Sequence, residues 1–212
     1  MGGIQVEYTA LGMCGTNCYL IYNNESREAV LVDPADQPER LEAWVRRRGV
    51  TLTAIWLTHG HFDHMLAADE LRKAFGVKIY AMEAEKELLG NASMNLSAAW
   101  AEAAVLQADV WLKGREIFPV LGTEVEVLSS PGHTPGGCCY YFRQEGFLIS
   151  GDTLFRESLG RTDFPGSSTR QIIESIRELL KLPESVTVYP GHGEETTIGY
   201  EKLHNPVALY RG

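Results

Sequence analysis

Thr58-His59-Gly60-His61-Phe62-Asp63-His64 carries three of the six histidines in this chain. A short apolar run at 54–57 leads straight into it and reads as a buried strand that ends at Thr58. On an extended tail His59 and His61 project to the same side, because side-chain direction repeats every two residues. The chain then turns, and Asp63 and His64 open a helix pointing in different directions. Histidine is the commonest metal ligand. The stretch can therefore serve one metal from His59 and His61 and a second from Asp63 and His64. Burying four such groups without partners would be costly.

Two more histidines sit in glycine-proline corners, His133 in Pro131-Gly132-His133-Thr134-Pro135-Gly136 and His192 in Pro190-Gly191-His192-Gly193. Each follows an apolar strand pattern, at 123–128 and 186–189, and such corners turn rather than continue as helix. Asp152 ends a third apolar run, Phe147-Leu148-Ile149-Ser150-Gly151. A polar residue just past a buried strand stands on the rim of a sheet, where sites of α/β folds collect. A carboxylate has two oxygens, so Asp152 can bridge two cations.

The rest of the chain suits one globular unit. It has 212 residues, 44% of them hydrophobic and 22% charged. That length buries roughly 70% of the unfolded surface without disulfides. The net charge of −9 argues against nucleic acid and anionic membrane as partners, since both require a positive face. A small molecule is the expected partner, with the protein a monomer or small homo-oligomer. There is no secretory leader pattern at the start, and no apolar run approaches about 18 residues. A cytoplasmic location follows as the expectation. Strands are predicted at 4–8, 18–22, 29–32, 138–142 and 147–149. Helices are predicted at 38–48, 64–75, in pieces over 83–108, and at 169–180, the last with Ser168 or Thr169 as N-cap. The four cysteines, Cys14, Cys18, Cys138 and Cys139, read as reduced, packed thiols, with the last two on opposite faces of a strand.

The ordered set Thr-His-Gly-His-Phe-Asp-His, Gly-His-Thr-Pro-Gly, Ser-Gly-Asp-Thr-Leu-Phe and Pro-Gly-His-Gly resembles the metallo-β-lactamase superfamily. The resemblance runs from Asn17-Cys18-Tyr19-Leu20-Ile21 to Leu203-His204-Asn205-Pro206. Gly160-Arg161-Thr162-Asp163-Phe164-Pro165-Gly166 and the stretch after Gly191 are similar to short, single-domain glyoxalase II-like proteins. The resemblance implies an α/β fold, a four-layer αββα sandwich over 1–212 with the metal site on one rim of the two sheets. It implies no C-terminal helical glutathione-binding domain. It also implies two divalent metal ions: His59, His61 and His133 on the first, Asp63, His64 and His192 on the second, and Asp152 between them. Nitrogen and oxygen ligands without thiolate suit Zn²⁺ first, with Fe or Mn²⁺ as the other choices.

The activity so implied is hydrolysis of a thioester, S-lactoylglutathione or a related acyl thiol, by a water whose pKa the two ions lower to about 7. Asp63 would also orient that water. Arg161 stands where two-domain relatives carry a lysine for glutathione, so it is a candidate contact for an anionic thiol carrier; the alternative is a structural pairing with Asp163. His204 reads as structural. Gly160-Arg161-Thr162-Asp163-Phe164 also resembles persulfide dioxygenases, which would hold one iron on His59, His133 and Asp152. Hydrolysis of another ester or a lactone fits the same ligands. A non-catalytic metal-binding module would be expected to have lost ligands, and none is lost.

Overall fold

Along neighbouring strands the side chains part into two sets. Leu20, Leu31 and Ile55 join one buried cluster, while Tyr19, Ile21, Val30 and Trp56 join another. Both faces of these strands are buried, so each reads as an unbroken apolar run rather than an alternation. The computed structural model describes residues 3–209. Its first half runs β1 (Ile4–Leu11), β2 (Thr16–Asn23), β3 (Glu28–Val32), α1 (Pro38–Arg48), β4 (Thr51–Trp56), α2 (Phe62–Met65), α3 (Ala68–Phe75), β5 (Lys78–Met82), α4 (Lys86–Leu89), α5 (Ser97–Trp100) and β6 (Val110–Leu112). The second half runs β7 (Ile117–Val120), β8 (Thr123–Ser129), β9 (Cys138–Phe142), β10 (Phe147–Gly151), β11 (Leu154–Phe155), β12 (Ser158–Leu159), α6 (Thr169–Leu179), β13 (Thr187–Pro190), β14 (Thr196–Thr197), α7 (Ile198–His204) and α8 (Pro206–Leu209).

One sheet has the order β1-β2-β3-β4-β5-β6 and the other β14-β13-β10-β9-β8-β7. Leu41 and Val45 of α1 and Leu71 of α3 cover the outer face of the first sheet. Ile172, Ile176 and Leu179 of α6 cover the second, against Cys139, Tyr141 and Leu148. Between the sheets Trp56 stacks on Tyr140 with ring centroids 4.7 Å apart and meets Phe118 edge-on at 5.8 Å. The layers are thus helix, sheet, sheet, helix, the αββα sandwich that the resemblance implied. Cys138 faces the inter-sheet core and Cys139 the α6 side, opposite faces of β9 as expected. No helix among the described residues is long and apolar enough to cross a membrane.

Strand direction gathers the motifs at one rim. β10 and β13 are parallel, with Gly151 opposite Pro190, so Asp152 and His192 leave the sheet side by side. β8 and β10 are each antiparallel to β9, so β8 also ends on that side. The two sheets are tied there by Cys138 N–H to Thr58 O (2.9 Å), Tyr140 Oη to Leu57 O (2.9 Å) and Tyr19 Oη to Pro190 O (2.6 Å).

One local expectation needs correction, and several short strands were not foreseen. The helix predicted at 64–75 is two helices, α2 and α3. Ala67 N–H donates to Pro34 O (3.0 Å) instead of continuing the turn, which bends the chain so that His64 can face inward. Residues 83–108 are helical in pieces, as expected: a short 3₁₀ turn, α4 and α5, with turns and loop between and after them. Asn91, Asn95 and Ser97 explain this, since their side chains take up backbone groups that a helix would use. Strands β5, β6, β7, β11, β12 and β14 were missed. Helix α6 starts as predicted, with Ser168 accepting from Gln171 N–H.

Trp56 is 1% exposed and joins the sheets. Trp56→Ala is expected to destabilise the protein by ~3–5 kcal/mol, measured by urea unfolding. A loss below ~1 kcal/mol would mean that the inter-sheet core does not depend on this ring.

Candidate metal centre

Buried polar atoms are normally hydrogen-bonded. Here His59 Nε2, His61 Nε2 and Asp152 Oδ1 are buried with no hydrogen-bond partner. They lie at the rim where the four strand ends converge. Donor atoms of His59, His61 and His133 lie within 4.8 Å of one another, as do those of Asp63, His64 and His192. Asp152 stands between the trios. Its Oδ1 is 3.4 Å from His64 Nε2, and its Oδ2 is 3.5 Å from His133 Nε2 and 3.4 Å from His192 Nε2. His192 Nε2 is also 3.4 Å from Asp63 Oδ2. The structure therefore brings all seven sequence-predicted ligand residues together. Unpaired imidazole nitrogens and carboxylate oxygens converging on one space are the donor set a divalent cation needs.

A surrounding set of groups aims these side chains. His64 Nδ1 contacts Asp33 Oδ2 at 3.0 Å, His59 Nδ1 contacts Thr58 Oγ1 at 3.1 Å, and His133 Nδ1 donates to Arg161 O at 2.8 Å. Each leaves its Nε2 for the centre, the second-partner pattern of metal-binding histidines. Asp33 Oδ1 accepts from Thr58 N–H (2.8 Å), and Thr16 Oγ1 donates to Asp63 Oδ2 (2.9 Å). Backbone comes close as well. A Cβ on Gly191 would collide with Asp152 Oδ1 and His64 Cε1, so only glycine lets the two strand ends meet.

Electrostatics divide the centre. Burial, reinforced by the His133 imidazole, pushes His61 down to about 3, and burial drives His59 well below its ordinary value. Both remain neutral, with lone pairs to give. Burial opposes charge on His64 too, but the carboxylates of Asp152, Asp63 and Asp33 outweigh it and raise this imidazole to about 9. His192 rises to about 10 against the same penalty, held by Asp152 and Asp63. The Asp63 carboxyl stays well below the usual range despite burial, because His64 and His192 stabilise its charge. Positive charge is favoured in this half.

Sequence reading missed Asp33, Thr16 and Glu85. Asp33 carried a signal, since it follows the apolar strand β3 just as Asp152 follows β10. Glu85 carried none. Its fully buried carboxylate accepts from Gly60 N–H (2.7 Å), between two of the histidines, and from Gly136 N–H (2.6 Å), just past His133. It thus clamps the two loops of the first trio. Arg161 lines the cavity over the centre, but its guanidinium holds Asp163 in a two-point pair at 2.7 and 2.6 Å and lies over Phe164. Cys14 departs from the expected packed thiol: it is exposed and lines the same cavity. His204 stands apart, bonded to Tyr200 O and stacked on the Tyr200 ring.

The family model of the metallo-beta-lactamase superfamily matches residues 11–192, and the chain belongs to that superfamily. It is similar to the hydroxyacylglutathione hydrolase GloC of Haemophilus influenzae, 36% identical over 90% of this chain and 91% of that protein. It is 35% identical to a probable metallo-hydrolase, YqgX, of Bacillus subtilis, over 92% of this chain and 93% of the other. Among solved structures, the BLEG-1 B3 metallo-beta-lactamase superposes with a TM-score of 0.92 at 37% identity, covering 97% of this chain and 100% of that one. TTHA1623, solved in a di-iron-bound form, gives 0.84 at 35% identity, covering 95% and 99%. ETHE1 from Myxococcus xanthus gives 0.80 at 30% identity, covering 97% and 85%. The chain is a metallo-hydrolase of this superfamily.

Glu85→Ala leaves two buried N–H groups unpaired, at ~1–3 kcal/mol each. We expect a lower unfolding midpoint and weaker metal retention on dialysis, with Glu85→Gln between Ala and the parent because it keeps one acceptor oxygen. Equal midpoints for all three would remove the clamp.

Proposed function

We propose that the protein hydrolyses a thioester, with S-lactoylglutathione the nearest substrate by relation to GloC, using two divalent cations. The observation that carries this reading is Asp152, whose two oxygens face both trios, with His192 drawn in to complete the second. His59, His61 and His133 would hold one ion and Asp63, His64 and His192 the other, with Asp152 shared. Zinc is the first choice for this donor set; the di-iron form of TTHA1623 supports iron as the next.

When bound, such ions polarise a carbonyl oxygen and acidify a water toward neutral pH. The protein's own part is to hold and shield. Neutral His59 and His61 keep their lone pairs available, and the ionised Asp63, braced by Thr16, stands on the cavity wall to orient the water, whose proton passes to solvent. The water oxygen bonds to the carbonyl carbon, and the carbon–sulfur bond breaks with its electron pair on sulfur. The leaving thiolate takes up a proton from solvent. A thiolate is stable enough near neutral pH that a strong general acid is dispensable.

The similarity to ETHE1 favours a second reading, a persulfide dioxygenase with one iron on His59, His133 and Asp152. Against it, His192 and Asp63 stand within 3.4 Å of each other as part of the same cluster. The likeness to BLEG-1 adds β-lactam ring opening as a reaction to assay.

Elemental analysis should find two metal equivalents per chain, with hydrolysis of S-lactoylglutathione and no oxygen uptake on glutathione persulfide. Asp152→Ala should lose metal and lower kcat by at least ~100-fold. One iron with persulfide-dependent oxygen uptake would replace the hydrolase reading, and an Asp152→Ala variant with full metal and activity would remove the shared ligand.

A further inference from the structure

The cavity over the metal centre encloses about 520 Å³, and its walls are mostly hydrocarbon. Phe164 meets His61 edge-on with centroids 5.3 Å apart, and Phe155 meets His192 at 6.2 Å. An apolar ring therefore stands beside each trio. Phe62, Leu159, Leu96 and Trp100 line the same cavity. Trp100 is 60% exposed, although a tryptophan left in water without a partner is unfavourable.

The loop that presents these last two residues is held in a strained form. Leu96 has φ 71°, ψ 0°, a left-handed conformation that a leucine adopts only when its surroundings impose it. Buried Asn95 imposes it. The Asn95 carbonyl accepts from Phe62 N–H (2.9 Å), its Nδ2 donates to Ala104 O (2.9 Å), and its Oδ1 accepts from Ser97 N–H (2.9 Å). Asn95 thus fastens the Leu96–Trp100 shelf to α2, the helix that carries Asp63 and His64. The fold spends conformational energy to hold an apolar shelf beside the reacting centre.

Charge selection points the same way. Among the described residues that line the cavity, Arg161 is the one Lys or Arg, and Asp163 already neutralises it at two points. Among the described residues, no second Lys or Arg lines the wall to pair with the two carboxylates of a glutathionyl group.

We infer that this site prefers a thioester whose larger arm is apolar and uncharged, seated on the shelf of Leu96 and Trp100 between Phe164 and Phe155. Glutathione thioesters are then turned over as poorer substrates. The inference rests on the thioesterase reading above and sharpens its substrate class.

Four substrates test it: lactoyl and hexanoyl thioesters of glutathione and of the neutral thiol N-acetylcysteamine, assayed with the metal-replete protein. Hexanoyl-N-acetylcysteamine should exceed S-lactoylglutathione in kcat/KM by about tenfold or more, from burial of the added methylenes. Trp100→Ala should raise KM for both hexanoyl substrates by roughly tenfold while changing the lactoyl substrates less than about threefold. Asp163→Ala, which frees the Arg161 guanidinium, should shift the ratio of rates toward the glutathione thioesters. A preference for both glutathione substrates, with Trp100→Ala lowering all four equally, would overturn the inference and leave the thioesterase reading standing. No turnover of any of the four would overturn the reading itself.

Discussion

A carboxylate enclosed by imidazoles governs this structure. Asp152 lies within 3.5 Å of His64, His133 and His192, with one buried oxygen lacking a hydrogen bond. A charge that deep is tolerable only beside compensating positive charge. The surrounding architecture provides for that need. β10 and β13 run parallel so that Asp152 and His192 emerge together, and Gly191 leaves room for the carboxylate. Bonds across the rim from Tyr19, Tyr140 and Cys138 fix the two sheets at the separation that brings both trios to the same carboxylate.

The site was more legible in the sequence than the chain around it, for physical reasons. His59, His61, His133, Asp152 and His192 follow strand ends, and Asp63 and His64 open the short helix after β4, so adjacency along the chain predicts their place in space. Asp33 obeys the same rule after β3, yet it touches His64 from behind rather than facing the centre, and no histidine motif marks it. Glu85 was beyond reach. Its partners are backbone amides 25 and 51 residues away, and backbone donors leave no trace in a sequence. The four-layer architecture came from family resemblance, because strands buried on both faces, such as β2, lose the alternation that marks a half-buried sheet.

Local breaks show tertiary bonds overriding helical pattern. The apolar spacing at 64–75 suits one helix, but Pro34 O captures the Ala67 amide and splits it. The loop after α4 behaves likewise, since Asn95 exchanges helix for a set of ties that present Leu96 and Trp100 to the cavity. Arg161 illustrates the opposite limit. Its carbonyl orients His133, while its side chain, for which the sequence offered either an anionic carrier or Asp163, is engaged by Asp163. The metal-facing half of the cavity is thus charged and tightly braced, and the outer half is apolar.

X-ray absorption at the metal edge of the loaded protein tests the central claim most directly. Two ions sharing Asp152 should give a metal–metal scattering vector of about 3.5–4 Å alongside histidine scattering. A fully loaded protein with one metal equivalent and no such vector would contradict the account.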